Sequence, residues 1–227
     1  MVSIITCTIR DSALDNVFQN YDRQTLPDKE LIIILNKDNM NINKWKQKAR
    51  GYKNVTVYQL TEKLTLGECL NFGVKKSRFS FIAKFDDDDY YAPNYLTTML
   101  RPFKYSNVSI VGKTSFYVYF EQLKLLSLHL PNNENKYSKH VAGATLVIKK
   151  DVFKYVKFGK MNKGSDQDFQ VKCRKKGLKI YSADRFNYVC LRNANKRYHT
   201  WKLSDKQLLK YGKKLRYTSN YEPFIKH

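Results

Sequence analysis

Apolar positions fall into short continuous runs separated by polar stretches with helical spacing. Val2 to Cys7 (VSIITC), Leu31 to Leu35 (LIIIL), Val55 to Gln59 and Phe79 to Phe85 read as strands, since each is short and rich in β-branched or aromatic residues. A run that is apolar throughout, as LIIIL is, fits a parallel strand covered on both faces. Between these runs, Ala13 to Tyr21 places Leu14, Val17, Phe18 and Tyr21 at helical spacing, and Asn43 to Arg50 is a polar helix candidate. Leu66 to Lys76 reads as a helix capped by Thr65, with Leu66, Leu70, Phe72 and Val74 as its apolar contacts. The first ninety residues thus alternate β, α, β, α, β, α, β, the order of a doubly wound parallel sheet.

The pattern then changes. Pro93 suits the first turn of a helix over Asn94 to Lys104. Val108 to Lys113, Ser115 to Phe120 and Leu123 to Leu130 read as strands joined by short turns, predicting a mixed or antiparallel extension. Val141 to Lys149 (VAGATLVIK) reads as a further strand, Asp151 to Val156 as a short helix, and Asp166 to Lys176 as a helix closed by Gly177. Late strands follow at Ile180-Tyr181 and Asn187 to Leu191, then a basic, aromatic stretch from Asn193 with a helix near Ser204 to Tyr211. No internal repeat and no Pro/Ser linker divides the chain, so it reads as a single domain over residues 1–227.

Composition adds a partner class. With 42% hydrophobic residues the 227-residue chain can bury a sizeable core and is not globally disordered. Lys and Arg outnumber Asp and Glu by 42 to 20, and the net charge of +22 predicts attraction to polyanions. Phosphorylated substrates, anionic membrane surfaces, teichoic-acid-like polymers and nucleic acid all belong to that class. Cys7, Cys69, Cys173 and Cys190 show no metal-ligand spacing and read as reduced thiols. No signal-type segment or long apolar span is present, which predicts a cytoplasmic protein, with peripheral contact at an anionic membrane left open.

Against that positive background, Asp86-Asp87-Asp88-Asp89 stands where the fourth predicted strand ends. Four adjacent carboxylates repel one another and need a cation or full solvation. Alternate residues of an extended segment share a face, so Asp86 and Asp88 can reach one hard divalent ion, Mg²⁺ or Mn²⁺. Ligands of open α/β sheets bind beyond the carboxyl ends of the strands. Alone, the cluster reads more readily as a solvated acidic turn; it is the rest of the chain that favours a metal. The spaced acids, loop Gly and terminal Glu of an EF-hand are missing.

The order of the pieces resembles family 2 glycosyltransferases of the GT-A fold, and more loosely a bacterial spore-maturation branch of them. VSIITCTIRD is similar to the family's opening strand and turn, and ELIIILNKDN to its second strand and base-binding loop. LGECLNFGVKKSRFSFIAKFDDDDYYAPNYL resembles the helix, strand and DXD segment. HVAGATLVIKKDVF resembles the acceptor-side strand and helix, GSDQDFQVKCRKKGLKIY the helix with the catalytic carboxylate, and YHTWKLSD a late family element. The resemblance implies a Rossmann-like GT-A α/β fold with a mixed, mainly parallel sheet flanked by helices. It also implies a nucleotide-binding half over about 1–105, an acceptor-side half over 106–192 and a basic extension over 193–227. The implied activity is inverting transfer of a sugar from a nucleotide-diphosphate donor, UDP-sugar favoured, with a divalent cation. The expected acceptor is a carbohydrate, or a lipid-linked or anionic polymer that the basic tail from Lys196 through Lys226 would guide.

Carried onto this chain, the resemblance makes Asp88 the direct metal ligand, Asp86 a metal or ribose ligand, Asp87 a donor-nucleotide ligand or a supporting or solvated acid, and Asp89 a supporting or solvated acid. Asp166 is the expected general base and Asp168 its alternative; an acid in that first helical turn also simply suits the helix dipole. Thr8, Ile9 and Arg10 are expected to face the nucleotide, with Ile9 where an aromatic is common and Arg10 either a phosphate ligand or a solvated arginine. Asn36 stands where relatives place Asp and can pair with uracil or cytosine. Asn71, near Gly73, is a donor-side amide or a helix-surface one. His199 is a candidate metal or diphosphate ligand and Trp201 a sugar platform or core anchor, while His140 and Gly143 fall on the acceptor side. The rival reading is a basic nucleic-acid- or polyanion-binding module without catalysis, disfavoured for nucleic acid because the acids would repel phosphate unless a metal fills them. A sugar nucleotidyltransferase is disfavoured because no glycine-rich signature follows the first strand.

Overall fold

Strands β1 (Val2–Thr8), β2 (Lys29–Leu35), β3 (Val55–Gln59) and β4 (Phe81–Lys84) form one half of a large sheet in this computed structural model, which describes residues 1–192 and 204–226. They pair in parallel in the order β3-β2-β1-β4. Helices α1 (Leu14–Asp22), α2 (Ile42–Ala49) and α3 (Leu66–Lys76) connect them. The expected cap of α3 is a complete capping box: the Thr65 side chain accepts from the Glu68 N–H, and the Glu68 carboxylate accepts from the Thr65 N–H at 3.0 Å.

The second half comprises β5 (Tyr90–Tyr91), α4 (Tyr95–Leu100), α5 (Pro102–Tyr105), β6 (Ile110–Gly112), β7 (Phe116–Phe120), β8 (Leu125–His129) and β9 (Lys136–Tyr137). It continues with β10 (Val147–Lys149), α6 (Ser165–Lys175), β11 (Ile180–Ser182), β12 (Tyr188–Arg192), α7 (Asp205–Lys210), β13 (Gly212–Tyr217) and α8 (Glu222–Ile225). The large sheet has eight strands in the order β3-β2-β1-β4-β10-β6-β11-β9. β10 and β9 run against the other six, giving the mixed, mainly parallel sheet expected. A smaller five-stranded sheet, β13-β8-β7-β12-β5, is joined to the acidic segment by Tyr188 of β12, whose hydroxyl donates to Asp89. Among the described residues no helix is long and apolar enough to cross a membrane.

Three elements depart from the sequence pattern. The helix expected over 94–104 is two short helices, because Pro102 cannot donate to the ladder and starts a new first turn. The strand expected over 141–149 is a 3₁₀ turn at Gly143–Thr145 followed by β10. Thr145 explains this: its hydroxyl donates to the Ala142 carbonyl at 2.8 Å and accepts from the Lys113 N–H at 2.8 Å, competing with extended pairing. β13, a basic strand reading GKKLRY, carries no apolar run at all and lies exposed at the sheet edge.

One buried acid ties the sheet together away from the acidic cluster. The Glu30 carboxylate, on β2, accepts from Ser3 Oγ at 2.5 Å, the Arg78 N–H at 2.7 Å and Arg78 Nε at 2.8 Å. Burial would raise its pKa, but the Ser3 and Arg78 hydrogen bonds and the Arg78 charge hold it below the ordinary glutamate value. Its stabilising contribution is therefore full above about pH 4.5 and is lost as pH falls through the depressed folded value. Glu30→Gln lowers stability at pH 7 by about 2 kcal/mol, the scale of hydrogen bonds to a charged group. Denaturant melts from pH 7 to 3 then show a shallower acid loss in the variant than in the wild type; parallel curves overturn this assignment.

Candidate active site

Beside β1 the strand order reverses, with β2 and β3 on one side and β4 on the other. The chain ends of β1 and β4 open a crevice at that switch point, where ligands of open α/β sheets bind. β10 runs antiparallel to β4, with Val147 opposite Ala83. Its leading end, and the Gly143–Thr145 turn before it, therefore abut the residues that follow β4. A cavity of about 420 Å³ opens here, lined by Asp86 to Asp89 on one wall and by Gly143 and Asp166 on another.

The acids occupy a tight turn rather than an extended strand. Phe85 stacks on Tyr91, ring centroids 3.8 Å apart, with Tyr95 edge-on at 5.4 Å. The Asp86 N–H donates to Tyr91 Oη at 2.8 Å, and that hydroxyl donates to the Ala144 carbonyl at 2.7 Å, tying the turn to the opposite wall. From α1, Asn16 Nδ2 donates to the Asp87 and Asp89 carbonyls at 2.9 and 3.0 Å, and Asn20 Nδ2 to the Asp89 carbonyl at 2.8 Å. These two asparagines are an unforeseen clamp; their only sequence signal is i, i+4 spacing on one helix.

Each acid has a distinct environment. Asp87 is buried and accepts from Thr8 Oγ1 at 2.5 Å, from Arg10 Nε at 3.2 Å and from Arg10 Nη2. Asp89 is buried and accepts from the Tyr188 hydroxyl at 2.6 Å and the Leu191 N–H at 3.2 Å, anchoring β12. Burial, then the charges of Asp88 and Asp86, push its carboxyl well above the usual range. Asp87 and Asp89 are thus not solvated, because each is consumed by the protein's own donors. Asp86 pairs with Lys84, and Asp88 Oδ2 lies 3.2 Å from Arg10 Nη2. The side chains of Asp86 and Asp88 are 35% and 22% exposed, against 9% for Asp87, so these two carboxylates are the ones open to a ligand. Burial, then Asp87 and Asp86, raise Asp88 to about 6, with Arg10 pulling the other way.

Two cations answer this charge. Arg10 is not a solvated loop arginine: burial opposes its charge, but the Asp87 hydrogen bonds and the Asp87 and Asp88 charges outweigh it and hold the guanidinium above its ordinary pKa. Lys84, which in the sequence merely interrupts an apolar run, is buried. Desolvation would lower its pKa, yet Asp86 and then Asp166 raise it, so a buried ammonium lies within electrostatic reach of both walls.

Asp166 sits in the first turn of α6, behind Gly164 at φ +75°. A Cβ at Gly143 would collide with the Asp166 carboxylate, so only glycine lets the Gly143–Thr145 turn and the first turn of α6 approach this closely. Gln170, unforeseen in the sequence, donates to the Val141 carbonyl at 3.0 Å and accepts its N–H at 2.9 Å, fixing α6 against the Gly143 segment. Asp168 points elsewhere: it pairs with Lys172 at 2.6 Å and does not line the cavity. His140 lines the cavity near Asp166.

The remaining predicted residues are spread more widely. Thr8 supports Asp87, and Ile9 is 54% exposed just beyond β1. Asn36, at the end of β2, lies outside the cavity lining, and its Nδ2 donates to the Thr61 carbonyl at 2.8 Å. Asn71 lies outside the cavity lining: its Nδ2 donates to the Phe158 carbonyl at 2.9 Å and its Oδ1 accepts the Phe158 N–H at 3.0 Å, bracing a loop. His199 and Trp201 lie outside the described residues.

The sequence model of glycosyl transferase family 2 matches residues 3–162, well over half of the chain and including the whole acidic turn. The chain belongs to glycosyl transferase family 2. Asp166 falls just beyond the family 2 match. No curated protein matches the sequence. Among solved structures, S. aureus TarS 1-349 in complex with UDP-GlcNAc superposes with a TM-score of 0.66 at 16% identity, over 89% of this chain and 61% of that one. The mannosyltransferase PcManGT from Pyrobaculum calidifontis, in complex with GDP-Man and Mn²⁺, gives 0.64 at 14% identity, over 87% and 58%. Both similarities establish the GT-A fold, and this chain spans about three fifths of the length of those solved chains.

Among the described residues, no three His, Cys, Asp or Glu side chains converge as a complete metal-ligand set. The site fits a divalent ion held only in part by protein. Asp86 and Asp88 present partly exposed carboxylate edges into the cavity, one beside Lys84 and one beside Arg10. Mg²⁺ commonly takes one or two carboxylates and fills its other positions with water and substrate phosphate.

Proposed function

We propose that this protein transfers a sugar from a nucleotide-diphosphate sugar to an acceptor hydroxyl, with inversion at the anomeric carbon. The observation that carries the reading is the single cavity with Asp86 and Asp88 on one wall and Asp166 on the other. One wall suits a leaving diphosphate and the other an incoming hydroxyl. Neighbours crystallised with UDP-GlcNAc and with GDP-Man and Mn²⁺ support a nucleotide-sugar donor and a divalent cation, and we favour UDP.

In this mechanism Asp88, with Asp86, would hold the divalent ion, which would supply Lewis-acid stabilisation of the leaving diphosphate. Arg10 and Thr8 fix Asp87 and so keep the turn in register. Asp166 takes the proton of the acceptor hydroxyl as its oxygen bonds to the anomeric carbon. The bond from that carbon to the diphosphate oxygen breaks on the opposite face, and the nucleoside diphosphate leaves with the electron pair. Displacement from one face inverts the centre. The close approach to Gly143 seats Asp166 on the turn that the hydrogen bond from Tyr91 to the Ala144 carbonyl ties to the acids.

Thermal stabilisation by UDP, GDP, CDP, ADP and TDP, each with and without Mn²⁺, tests the reading. A ligand that binds only the native state stabilises it by about 2.7 kcal/mol at a hundredfold excess over Kd. For a chain of this size that is a rise of roughly 5–10 °C in Tm. The expected result is such a rise for one nucleotide, in Mn²⁺ only. No response to any nucleotide, with a salt-sensitive response to DNA or RNA, selects the binding-module reading instead.

A further inference from the structure

A second concavity, of about 830 Å³, lies next to the first and is built from the same three elements. Leu66 of α3, Asn162 to Gly164 and the first turn of α6 line the first cavity. Glu68 and Asn71 of α3, residues 153–160 and the later turns of α6 line the second. The 157–164 segment is thus the sill between them.

The lining of the second concavity is strongly basic. Lys154 comes from just before the sill, Lys157 and Lys160 from the sill itself, Lys172 and Lys175 from α6 and Lys176 from its C-cap. Three of the six are partnered: Lys154 by Asp151 at 2.7 Å, Lys172 by Asp168 at 2.6 Å and Lys160 more loosely by Glu68 at 3.8 Å. Lys157, Lys175 and Lys176 are exposed and have no carboxylate partner among the described residues. A concave surface of one sign concentrates counter-charge.

We propose that this groove docks the acceptor as a linear polyanion, a chain that crosses the sill and presents a hydroxyl to Asp166. The proposal rests on the transferase reading above. Its shape favours a chain over a bilayer: the surface is concave, and of its aromatic residues only Tyr155 is well exposed, at 71%, so no apolar face enters a membrane. The same observation disfavours single-stranded nucleic acid, which is held on successive aromatic platforms.

The test compares the full chain with Lys157→Gln/Lys175→Gln/Lys176→Gln and with a control, Lys46→Gln/Lys53→Gln/Lys104→Gln, that removes three exposed lysines from other surfaces. Medium-chain inorganic polyphosphate is the probe, titrated over a range of salt. The groove variant binds at least about tenfold more weakly, and its log–log salt slope falls by about 2, from three lost contacts at about 0.7 each. The control stays near wild type, and the melting rise given by nucleoside diphosphate with Mn²⁺ is the same in all three proteins. Equal losses in both variants mean diffuse charge and overturn the groove. Groove dependence seen only with anionic-phospholipid vesicles, or only with single-stranded DNA, also overturns it. If no nucleotide stabilises the wild type while polyphosphate still reads the groove lysines, the transferase reading falls and the polyanion site stands.

Discussion

Asp166→Asn leaves nucleotide binding intact and slows sugar transfer by at least about a hundredfold, the lower end of what a positioned general base contributes. Asn keeps the shape of the side chain and the close approach to Gly143, so the wall geometry persists while the proton acceptor is lost. The nucleotide-dependent rise in Tm is therefore unchanged and the loss falls on turnover. Asp168→Asn provides the contrast. That carboxylate is paired with Lys172 on a surface outside the cavity, so its variant retains transfer within about twofold, as surface changes away from a site usually do. Steady-state rates of the two variants, measured with the donor identified by melting, decide between them. Equal activity of Asp166→Asn and wild type overturns the base assignment.

How much of this site could be read in advance depended on the range of the interactions that make it. β1 and β2 were legible because burial on both faces forces continuous apolar runs, the edge strand β3 through its β-branched residues, and the α3 cap because a capping box is complete within Thr65 to Glu68. Asp166 and the acids were legible as residues through the family resemblance. Their partition was not. Simple alternation foresaw Asp86 and Asp88 sharing an extended face, whereas the turn leaves them open because Asp87 and Asp89 are consumed by Arg10, Thr8, Tyr188 and the Leu191 N–H. Those partners lie about eighty to a hundred residues away in sequence, where no local pattern reaches. Lys84 was hidden for a related reason: a lysine at a strand end reads as exposed, and only the convergence of Asp86 and Asp166 explains a buried one. The bracing of the Phe158 backbone by the Asn71 amide was likewise beyond the reach of a local pattern.

Asp88→Asn abolishes Mn²⁺-dependent nucleotide binding and lowers transfer by at least about a hundredfold, the scale of removing one electrostatic contact to a developing charge. The fold persists. Asp88 holds no strand or helix in place; its partner among the described residues is Arg10, which Asp87 also grips with two nitrogens. The substitution removes one charge from a cluster in which Asp86, Asp87 and Asp88 repel one another at partial burial, so metal-free stability is unchanged or higher. A residue whose removal spares or improves stability while abolishing binding is present for its ligand rather than for the fold. Asp89→Asn supplies the counter-case, because that carboxylate accepts from Tyr188 and from the β12 backbone. Its loss weakens the packing of β12 over the turn and lowers Tm with or without nucleotide. Melting curves of the two variants with and without UDP and Mn²⁺ separate the roles. If Asp88→Asn retains metal-dependent stabilisation by nucleotide, the divalent ion is held elsewhere and the acidic turn serves the fold alone.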